Sequence, residues 1–324
     1  MHTGQHYDRF MSGVFFDQFQ LHPDHFLALN AKGPAAQMGE MTMKLSDLMA
    51  SVKPDLLVVP GDVNSTLAAA LAANKMHIPI AHLEGGLRSF DRDMPEEINR
   101  ILTDEISDHF FITEQSGIDN LKAEGKPDHQ LHFVGNTMID TLVGFEDQIE
   151  ASNILDEHGV QAGNFALMTM HRPSNVDNKA GLQFIIDMCT AVTKDHPIVF
   201  PIHPRSKKRF EEHGMWNDLE SIKGLHLTGP MDYFAFQKLI KCATFILTDS
   251  GGIQEESTFR QVPCFTIREN TERPIPITLG TNQLVEANTE AILAAIKNPK
   301  QGEVPPLWDG RATWRVMETI LEQR

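Results

Sequence analysis

Acidic residues stand at the ends of two short apolar segments in the N-terminal half of the chain. Asp62 follows the first segment and Glu84 the second, and Glu96 comes one short loop later. Singly, each is as often a helix cap or an ion-pair member, but carboxylates buried close together raise one another's pKa values and can exchange protons near neutral pH. These three are therefore candidate acid/base groups. Glu97 and Arg100, three residues apart, are instead predicted to form an ion pair.

The segment Asp249-Ser-Gly-Gly-Ile-Gln-Glu-Glu256 has the composition of a phosphate-binding turn. Gly251 and Gly252 would let a ligand approach the backbone, and a helix that begins there presents free N–H groups and its positive dipole end to a phosphate. Ser250 adds a hydroxyl donor, and Glu256, about one helical turn further on, could accept hydrogen bonds from both hydroxyls of a ribose. The alternative is a tight turn whose acidic residues only complement the helix dipole.

Basic residues and histidines follow other apolar segments in the C-terminal half. Arg273 could form paired charge-assisted hydrogen bonds with phosphate oxygens, and His171 and Arg172 could contact a diphosphate. His203 is a weaker candidate, and Arg205 adjoins a basic run that could be only a solvated face. Taken alone, each of these residues is as often structural.

Composition limits the classes of protein to which the chain belongs. Its 324 residues are 41% hydrophobic and 22% charged, with a net charge of −16, so we expect no nucleic-acid partner. No apolar run is long enough to cross a membrane, and the N-terminus does not have the pattern of a signal peptide. The three cysteines have no metal-ligand spacing and are typical of reduced thiols, so a cytoplasmic protein without a metal site is expected.

Continuous apolar runs alternate with helix-length amphipathic segments along the whole chain. Such runs are typical of parallel strands covered on both faces, so the sequence predicts open α/β sheets with ligands beyond the carboxyl ends of the strands. The pattern pauses near residue 137. We therefore expect an α/β domain at 1–136, a second at 137–306, and a helix within 307–324 that crosses back to the first domain.

Seven motifs occur in the order found in one enzyme family and cover nearly the whole chain. The chain resembles the non-hydrolysing UDP-N-acetylglucosamine 2-epimerases. The most specific match is the 249–256 segment followed by Thr271-Glu-Arg-Pro274. The others are Thr3-Gly-Gln-His6, Pro60-Gly-Asp62, His82-Leu-Glu-Gly-Gly-Leu-Arg88, Pro95-Glu-Glu-Ile-Asn-Arg100 and Gly135-Asn-Thr-Met-Ile-Asp140.

This resemblance implies a fold, a reaction and a set of partners. The fold is two Rossmann-like domains of the glycosyltransferase-B type, with a UDP-sugar between them, in a homodimer that needs no redox cofactor or metal. The reaction inverts C2 of UDP-N-acetylglucosamine to give the manno epimer for cell-surface polysaccharide. It proceeds by anti elimination of UDP to 2-acetamidoglucal, followed by re-addition of UDP.

The resemblance also assigns roles to individual residues by motif position. Acid/base work falls to Asp62, Glu84 and Glu96, with His171 in the catalytic set. Bacterial members often use a second UDP-N-acetylglucosamine as activator, and its site here would lie near Gln5, His6 and the Pro95-Glu-Glu97 segment. The substrate and its UDP group would be held by Arg88, Arg172, His203, Arg205, Ser250, Gly251, Gly252, Glu256 and Arg273.

Two departures from the family pattern leave alternatives open. The family begins with a strand and a Gly-Thr-Arg-Pro-Glu loop, so the first domain is expected to lack one N-terminal β-α-β unit. A UDP-sugar binder without catalytic activity is therefore an alternative. In His203-Pro-Arg-Ser206, Arg205 could serve a carboxylate-bearing sugar, which makes a UDP-2,3-diacetamido-glucuronate 2-epimerase a second alternative. A glycosyltransferase of similar architecture is a third, against which the three carboxylates weigh.

Overall fold

Four-residue apolar strands alternate with helices through the chain, and all the strand pairs are parallel. The computed structural model describes residues 1–4 and 14–322. Its named strands form one four-stranded and one six-stranded sheet, so the predicted α/β class with parallel sheets is confirmed. The sheets lie in two units, one made of Met1–Asp140 with Pro306–Arg324 and the other of Thr141–Pro305.

The first unit contains a four-stranded sheet in simple sequential order. Its strands are β1 (Leu57–Pro60), β2 (Ile80–Leu83), β3 (His109–Ile112) and β4 (Leu131–Phe133), in the order β1-β2-β3-β4. Its helices are α1 (Val14–Phe19), α2 (Pro34–Val52), α3 (Asn64–Lys75), α4 (Pro95–Ile106), α5 (Gln115–Ala123) and, at the end of the chain, α17 (Ala312–Glu322), and α6 (Thr137–Gly144) spans the division between the units.

Helix α17 packs against the first unit because three kinds of contact hold it there. Val316 lies in a buried cluster with Phe111 of β3. The Asp140 carboxylate accepts hydrogen bonds from the first backbone N–H groups of the helix, including that of Ala312 at 3.0 Å. Just before the helix, the Trp308 indole donates to the carbonyl oxygen of Thr113. The last segment of the chain is therefore part of the first unit's core.

The second unit contains a six-stranded sheet whose strand order reverses in the middle. Its strands are β5 (Ala166–Thr169), β6 (Ile198–Pro201), β7 (Leu225–Thr228), β8 (Phe245–Thr248), β9 (Cys264–Ile267) and β10 (Asn282–Val285), in the order β10-β9-β8-β5-β6-β7. This is the doubly wound Rossmann order, and its switch point lies between β5 and β8. Thr169 and Thr248 are paired in register there, with their hydroxyls 2.7 Å apart.

Helices cover both faces of this sheet, which explains why its strands read as continuous apolar runs. Met168 contributes to the buried cluster on one face and Leu167 to the cluster on the other. The covering helices are α7 (Glu146–Glu150), α8 (Ile154–His158), α9 (Pro173–Val176), α10 (Lys179–Val192), α11 (Pro204–Glu212), α12 (Trp216–Glu220), α13 (Tyr233–Cys242), α14 (Gly252–Arg260), α15 (Ile275–Thr278) and α16 (Thr289–Lys297). Among the helices of residues 1–4 and 14–322, none has the length and apolarity of a membrane span.

Candidate active site

Asp62 stands just beyond the carboxyl end of β1 and is held by the inner face of helix α4. Its Oδ2 accepts a hydrogen bond from Arg100 Nη2 at 2.6 Å, and its backbone oxygen accepts one from Asn99 Nδ2 at 2.9 Å. Arg100 and Asn99 are buried, whereas the Asp62 side chain is 30% exposed. A rigid helix therefore fixes a carboxylate that solvent or a ligand can still reach.

Glu84 follows β2 in a backbone conformation that is rare for a residue with a side chain. Its φ is +66°, and its N–H donates to the carbonyl oxygen of Phe111 in the neighbouring strand. Gly86, at φ +84°, is required in this loop because a Cβ there would lie 2.4 Å from the carbonyl oxygen of Gly117. Strained residues of this kind are often found at functional sites, where the surrounding structure holds them in place.

Glu96 and Glu97, adjacent in the first turn of α4, have different environments. Glu96 is exposed. Glu97 is buried, accepts hydrogen bonds from the backbone N–H groups of Ser89 and Phe90 at 2.9 Å each, and pairs with Arg100. Burial opposes ionisation of Glu97, but these contacts hold its pKa below the usual range. The predicted Glu97–Arg100 ion pair is confirmed.

The resemblance implies that Arg88 contacts the substrate, but in the structure Arg88 is buried and bound to carboxylates of the chain itself. Its side chain is almost fully buried, and its guanidinium binds Asp104 at 2.7 Å. The same group donates to both carboxylate oxygens of Glu124, at 2.9 and 2.7 Å. Because these carboxylates and the carbonyl oxygen of Leu87 occupy the guanidinium, we assign Arg88 to holding the loop after β2.

At the switch point of the second unit, Asp249 connects the loops that follow β5 and β8. Its buried carboxylate accepts hydrogen bonds from the backbone N–H groups of His171 and Arg172 and from Asn175 Nδ2, at 3.0, 2.8 and 3.0 Å. Burial opposes ionisation, but the contacts with His171, Arg172 and Asn175 lower the pKa of Asp249. The Arg172 Nε donates in turn to the carbonyl oxygen of Asp249.

His171 and His203 lie side by side, with ring centroids 5.5 Å apart. The Nδ1 of His171 is 3.0 Å from an oxygen of Asp249, and its side chain is 40% exposed. The Nδ1 of His203 accepts the N–H of Arg205 and so caps helix α11. Burial, together with the nearby His171 and Arg205, lowers the pKa of His203. Neutral His203 therefore carries its proton on Nε2.

Arg205 is engaged by a carboxylate of the chain itself. Its Nε and Nη2 lie 3.1 and 2.5 Å from the two oxygens of Asp177, which also receives Arg209. A sugar carboxylate could therefore bind Arg205 only by displacing Asp177.

The glycine turn after β8 is in close contact with the loop that carries Arg273. A Cβ on Gly251 would lie 2.8 Å from the Oε1 of Glu272 and 3.7 Å from the Nε of Arg273. Ser250, part-buried, donates its N–H to the Thr248 hydroxyl at 2.9 Å. Helix α14 begins at Gly252, directly after this contact. The structure therefore brings together the predicted turn, the helix N-terminus and the Arg273 loop.

Acidic residues surround Arg273 on the adjoining elements. Arg273 pairs with the buried Glu255 of α14, and Glu272 pairs with Arg268 at 2.9 Å. One residue further along α14, Glu256 is also buried, and burial raises its pKa to about 7. Glu256 is therefore protonated more readily than an ordinary glutamate.

Gln5 and His6, predicted to lie near an activator, fall outside the described residues. Within the described residues, no cluster of three or more histidine, cysteine or acidic side chains could hold a metal ion. The three cysteines are free thiols.

Comparison with known proteins identifies the family. The family model for UDP-N-acetylglucosamine 2-epimerase matches residues 1–321. The chain belongs to this family. Its members are isomerases, and the family's two-domain glycosyltransferase-B type of fold agrees with the two parallel sheets.

Individual relatives support the family membership at high coverage. The UDP-N-acetylglucosamine 2-epimerase of Methanocaldococcus jannaschii is 39% identical, over 99% of this chain and 90% of the relative. The crystal structure of the enzyme from that organism in complex with UDP-GlcNAc and UDP matches with a TM-score of 0.90, covering 100% of this chain and 91% of that one. The UDP-2,3-diacetamido-2,3-dideoxy-D-glucuronate 2-epimerase of Pseudomonas aeruginosa is 38% identical, over 92% of this chain and 82% of the relative.

Sequence reasoning missed three residues that organise this epimerase-family site. The sequence places Asp249 only in the glycine turn, and its pattern assigns no role to His82 or Asp104. Polar residues inside or directly after an apolar strand are a signal for His82 and Asp249, because a buried polar group requires a partner. Asp104 lies within a helix of mixed polarity and gives no such signal.

Proposed function

We propose that the chain catalyses reversible inversion at C2 of UDP-N-acetylglucosamine, giving UDP-N-acetylmannosamine. The observation that carries this proposal is the 39% identity, over nearly the whole chain, to a named UDP-N-acetylglucosamine 2-epimerase. The matching crystal structure from the same organism was obtained in complex with UDP-GlcNAc and UDP. The carboxylates of the first unit and the glycine turn of the second supply groups of the kinds that this reaction needs.

The proposed reaction passes through elimination and re-addition of UDP. A carboxylate takes the C2 proton, the released electron pair forms a double bond between C1 and C2, and the C1–O bond breaks as UDP departs. UDP then adds back to C1 of the 2-acetamidoglucal while a proton is delivered to the opposite face of C2. Since the C2 proton is weakly acidic, stabilisation of the departing diphosphate must assist its removal.

Asp62, Glu84 and Glu96 are the proposed proton-transfer groups. Both faces of C2 must be served, which requires more than one carboxylate. The ion pair with Arg100 orients Asp62 and leaves it accessible. The positive φ of Glu84 fixes the direction in which its side chain leaves the backbone. Glu96 is accessible on the first turn of α4.

The second unit is proposed to hold UDP at the carboxyl ends of β5, β8 and β9. The N-terminus of α14 with Ser250 would bind diphosphate oxygens, and the positive charge of Arg273 would support this. His171, oriented by Asp249, would donate to the departing phosphate when protonated. Glu256 would accept hydrogen bonds from the ribose, while Arg172 and His203 line the same loops.

Further features of the proposed function follow from the family resemblance. We propose a homodimer that works in the cytoplasm, in agreement with the three free thiols, and that supplies the manno epimer for polysaccharide synthesis. Gln5 and His6 remain the proposed residues for a second UDP-N-acetylglucosamine that acts as activator.

Exchange of solvent deuterium into the sugar tests the proposal. Incubation of the chain with UDP-N-acetylglucosamine in D₂O should place deuterium at C2 of both epimers and release small amounts of UDP and 2-acetamidoglucal. A parallel reaction with the diacetamido-glucuronate analogue tests the alternative substrate. Arg205 already pairs with Asp177, which weighs against its binding the carboxylate of that sugar. UDP binding without exchange in either reaction would show a binder in place of an enzyme.

A further inference from the structure

A buried histidine in β2, outside the proposed chemistry, contacts groups on both sides of it. The His82 side chain is fully buried, two residues before Glu84. Its Nδ1 lies 2.6 Å from an oxygen of Asp104, and its Nε2 lies 2.8 Å from the carbonyl oxygen of Gly61. Gly61 directly precedes Asp62 in the loop after β1.

The partners of His82 determine its protonation state. A carbonyl oxygen only accepts hydrogen bonds, so Nε2 must carry a proton. Burial opposes ionisation of Asp104, but its contacts with His82 and Arg88 hold its pKa below the ordinary value. Asp104 is therefore an ionised carboxylate that also accepts the N–H of Gly86, and Nδ1 must carry a proton as well. His82 is therefore an imidazolium ion. Burial opposes this charge, but the charge of Asp104 and the Gly61 carbonyl raise the pKa of His82 above its ordinary value.

The same ion pair connects the loops that hold two of the proposed acid/base groups. On one side, His82 of the pair contacts the carbonyl oxygen of Gly61. Gly61 has a φ of +64°, and its N–H donates to the carbonyl oxygen of Leu83. Through its other oxygen, Asp104 holds the N–H of Gly86 at 3.0 Å, two residues after Glu84. Displacement of this pair would therefore move both loops.

We propose that the His82–Asp104 ion pair is a positioning element that sets Asp62 and Glu84 in register with each other. The inference rests on the proposed epimerase function, because it gives the pair a task only if these two carboxylates share one substrate. It makes His82 a positioning residue, not a catalytic one, since it acts through Gly61 and does not touch the reacting atoms. Displacements of about 1 Å in such groups can lower turnover about a hundredfold.

Two amide substitutions separate the two contacts of His82. In His82→Gln the amide nitrogen can take the place of Nε2 and still donate to Gly61, whereas in His82→Asn it can take the place of Nδ1 and still donate to Asp104. Because the pair links the two loops only when both contacts are made, we expect each variant to lower kcat about a hundredfold, with KM changed less than about threefold. His109→Gln serves as control. His109 is the first residue of β3, at the amino end of the strand and away from the candidate site, so this variant should retain wild-type kcat.

Circular dichroism and chemical denaturation show whether the first unit of each variant is folded, and calorimetry with UDP, whose proposed site lies in the other unit, should give wild-type affinity. Wild-type kcat in either amide variant, or a loss of kcat accompanied by an equal rise in KM, would overturn the positioning role.

A measurement on the wild-type protein keeps the inference testable even if the variants fail to fold. Nitrogen-15 NMR of histidine-labelled protein should show a ring with both nitrogens protonated at pH 7, absent from His82→Gln if that variant folds. A neutral His82 ring would refute the proposal. Absence of C2 exchange in the wild type would instead refute the epimerase function and leave the protonation result standing.

Discussion

The carboxylate of Asp249 accepts a hydrogen bond of 3.0 Å from the backbone N–H of His171, across 78 positions of sequence. This bond joins the ends of β8 and β5, the two strands between which the order of the sheet reverses. The Nδ1 of His171 also lies 3.0 Å from a carboxylate oxygen of Asp249. One buried carboxylate thus fixes both the backbone and the ring of the residue proposed to meet the departing phosphate.

Replacement of this carboxylate provides the first prediction. Asp249→Asn keeps the size of the side chain but removes a charge that accepts several hydrogen bonds, so we expect the free energy of unfolding to fall by about 1–3 kcal/mol. UDP affinity should fall at least about tenfold, because the loop of His171 loses its anchor. Chemical denaturation and calorimetry measure the two effects. Asp187→Asn, an exposed residue of α10, is the control and should change neither quantity.

The lowered pKa of Asp249 predicts how the stability difference between wild type and Asp249→Asn depends on pH. The folded pKa of Asp249 is lowered from an ordinary value of 3.8, so its contribution is complete above that pH and is lost as pH falls through the folded value. The difference in unfolding free energy between wild type and Asp249→Asn should therefore be constant from pH 5 to 7 and shrink below about pH 4. A difference that grew on acidification would contradict the assignment.

The proposed proton transfer is tested by Asp62→Asn. Loss of one general acid/base group typically lowers turnover by about 10²–10⁴-fold, and we expect a loss in this range for both epimerisation and C2 exchange. UDP affinity should remain within about twofold of wild type, since Asp62 lies in the first unit. Asp55→Asn, exposed just before β1, is the matched control and should keep full activity. A parallel loss of UDP affinity would make Asp62 a binding or structural residue.

Sequence reasoning was most successful where local pattern controls structure. Continuous apolar runs such as the one around Leu167 indicate a strand covered on both faces, and the spacing of Glu97 and Arg100 indicates their ion pair. Long-range partners could not be predicted in this way. The contact of Arg88 with Glu124 depends on strand order, and the burial of Glu97 beside the exposed Glu96 depends on how α4 rotates against its sheet.

The raised pKa of Glu256 predicts a conflict between stability and binding. A carboxyl group with an ordinary pKa of 4.5 and a folded pKa of about 7 makes the fold less stable as pH rises between those values, because the unfolded chain ionises first. Glu256→Gln should therefore stabilise the protein above pH 7, by on the order of 3 kcal/mol, and have little effect below pH 4.

The same substitution should weaken UDP binding if Glu256 accepts hydrogen bonds from the ribose. Thermal unfolding from pH 4 to 8 and calorimetry at pH 8 measure the two effects, with the exposed Glu220→Gln as control. Tighter UDP binding in Glu256→Gln would exclude the ribose role.

The contact between Gly251 and Glu272 gives a steric prediction. In Gly251→Ala the new methyl group would lie 2.8 Å from the Oε1 of Glu272, so the carboxylate of Glu272 must move aside. Because only the end of a flexible side chain has to move, the loss of stability should stay below about 1 kcal/mol. UDP affinity should fall, because the methyl group takes space at the turn proposed to admit the diphosphate. Gly229→Ala is the matched control: Gly229 also follows a strand, but nothing lies within 4 Å of its Cβ position, so stability and UDP affinity should be unchanged. Unchanged UDP affinity in Gly251→Ala would show that diphosphate binding does not depend on this contact.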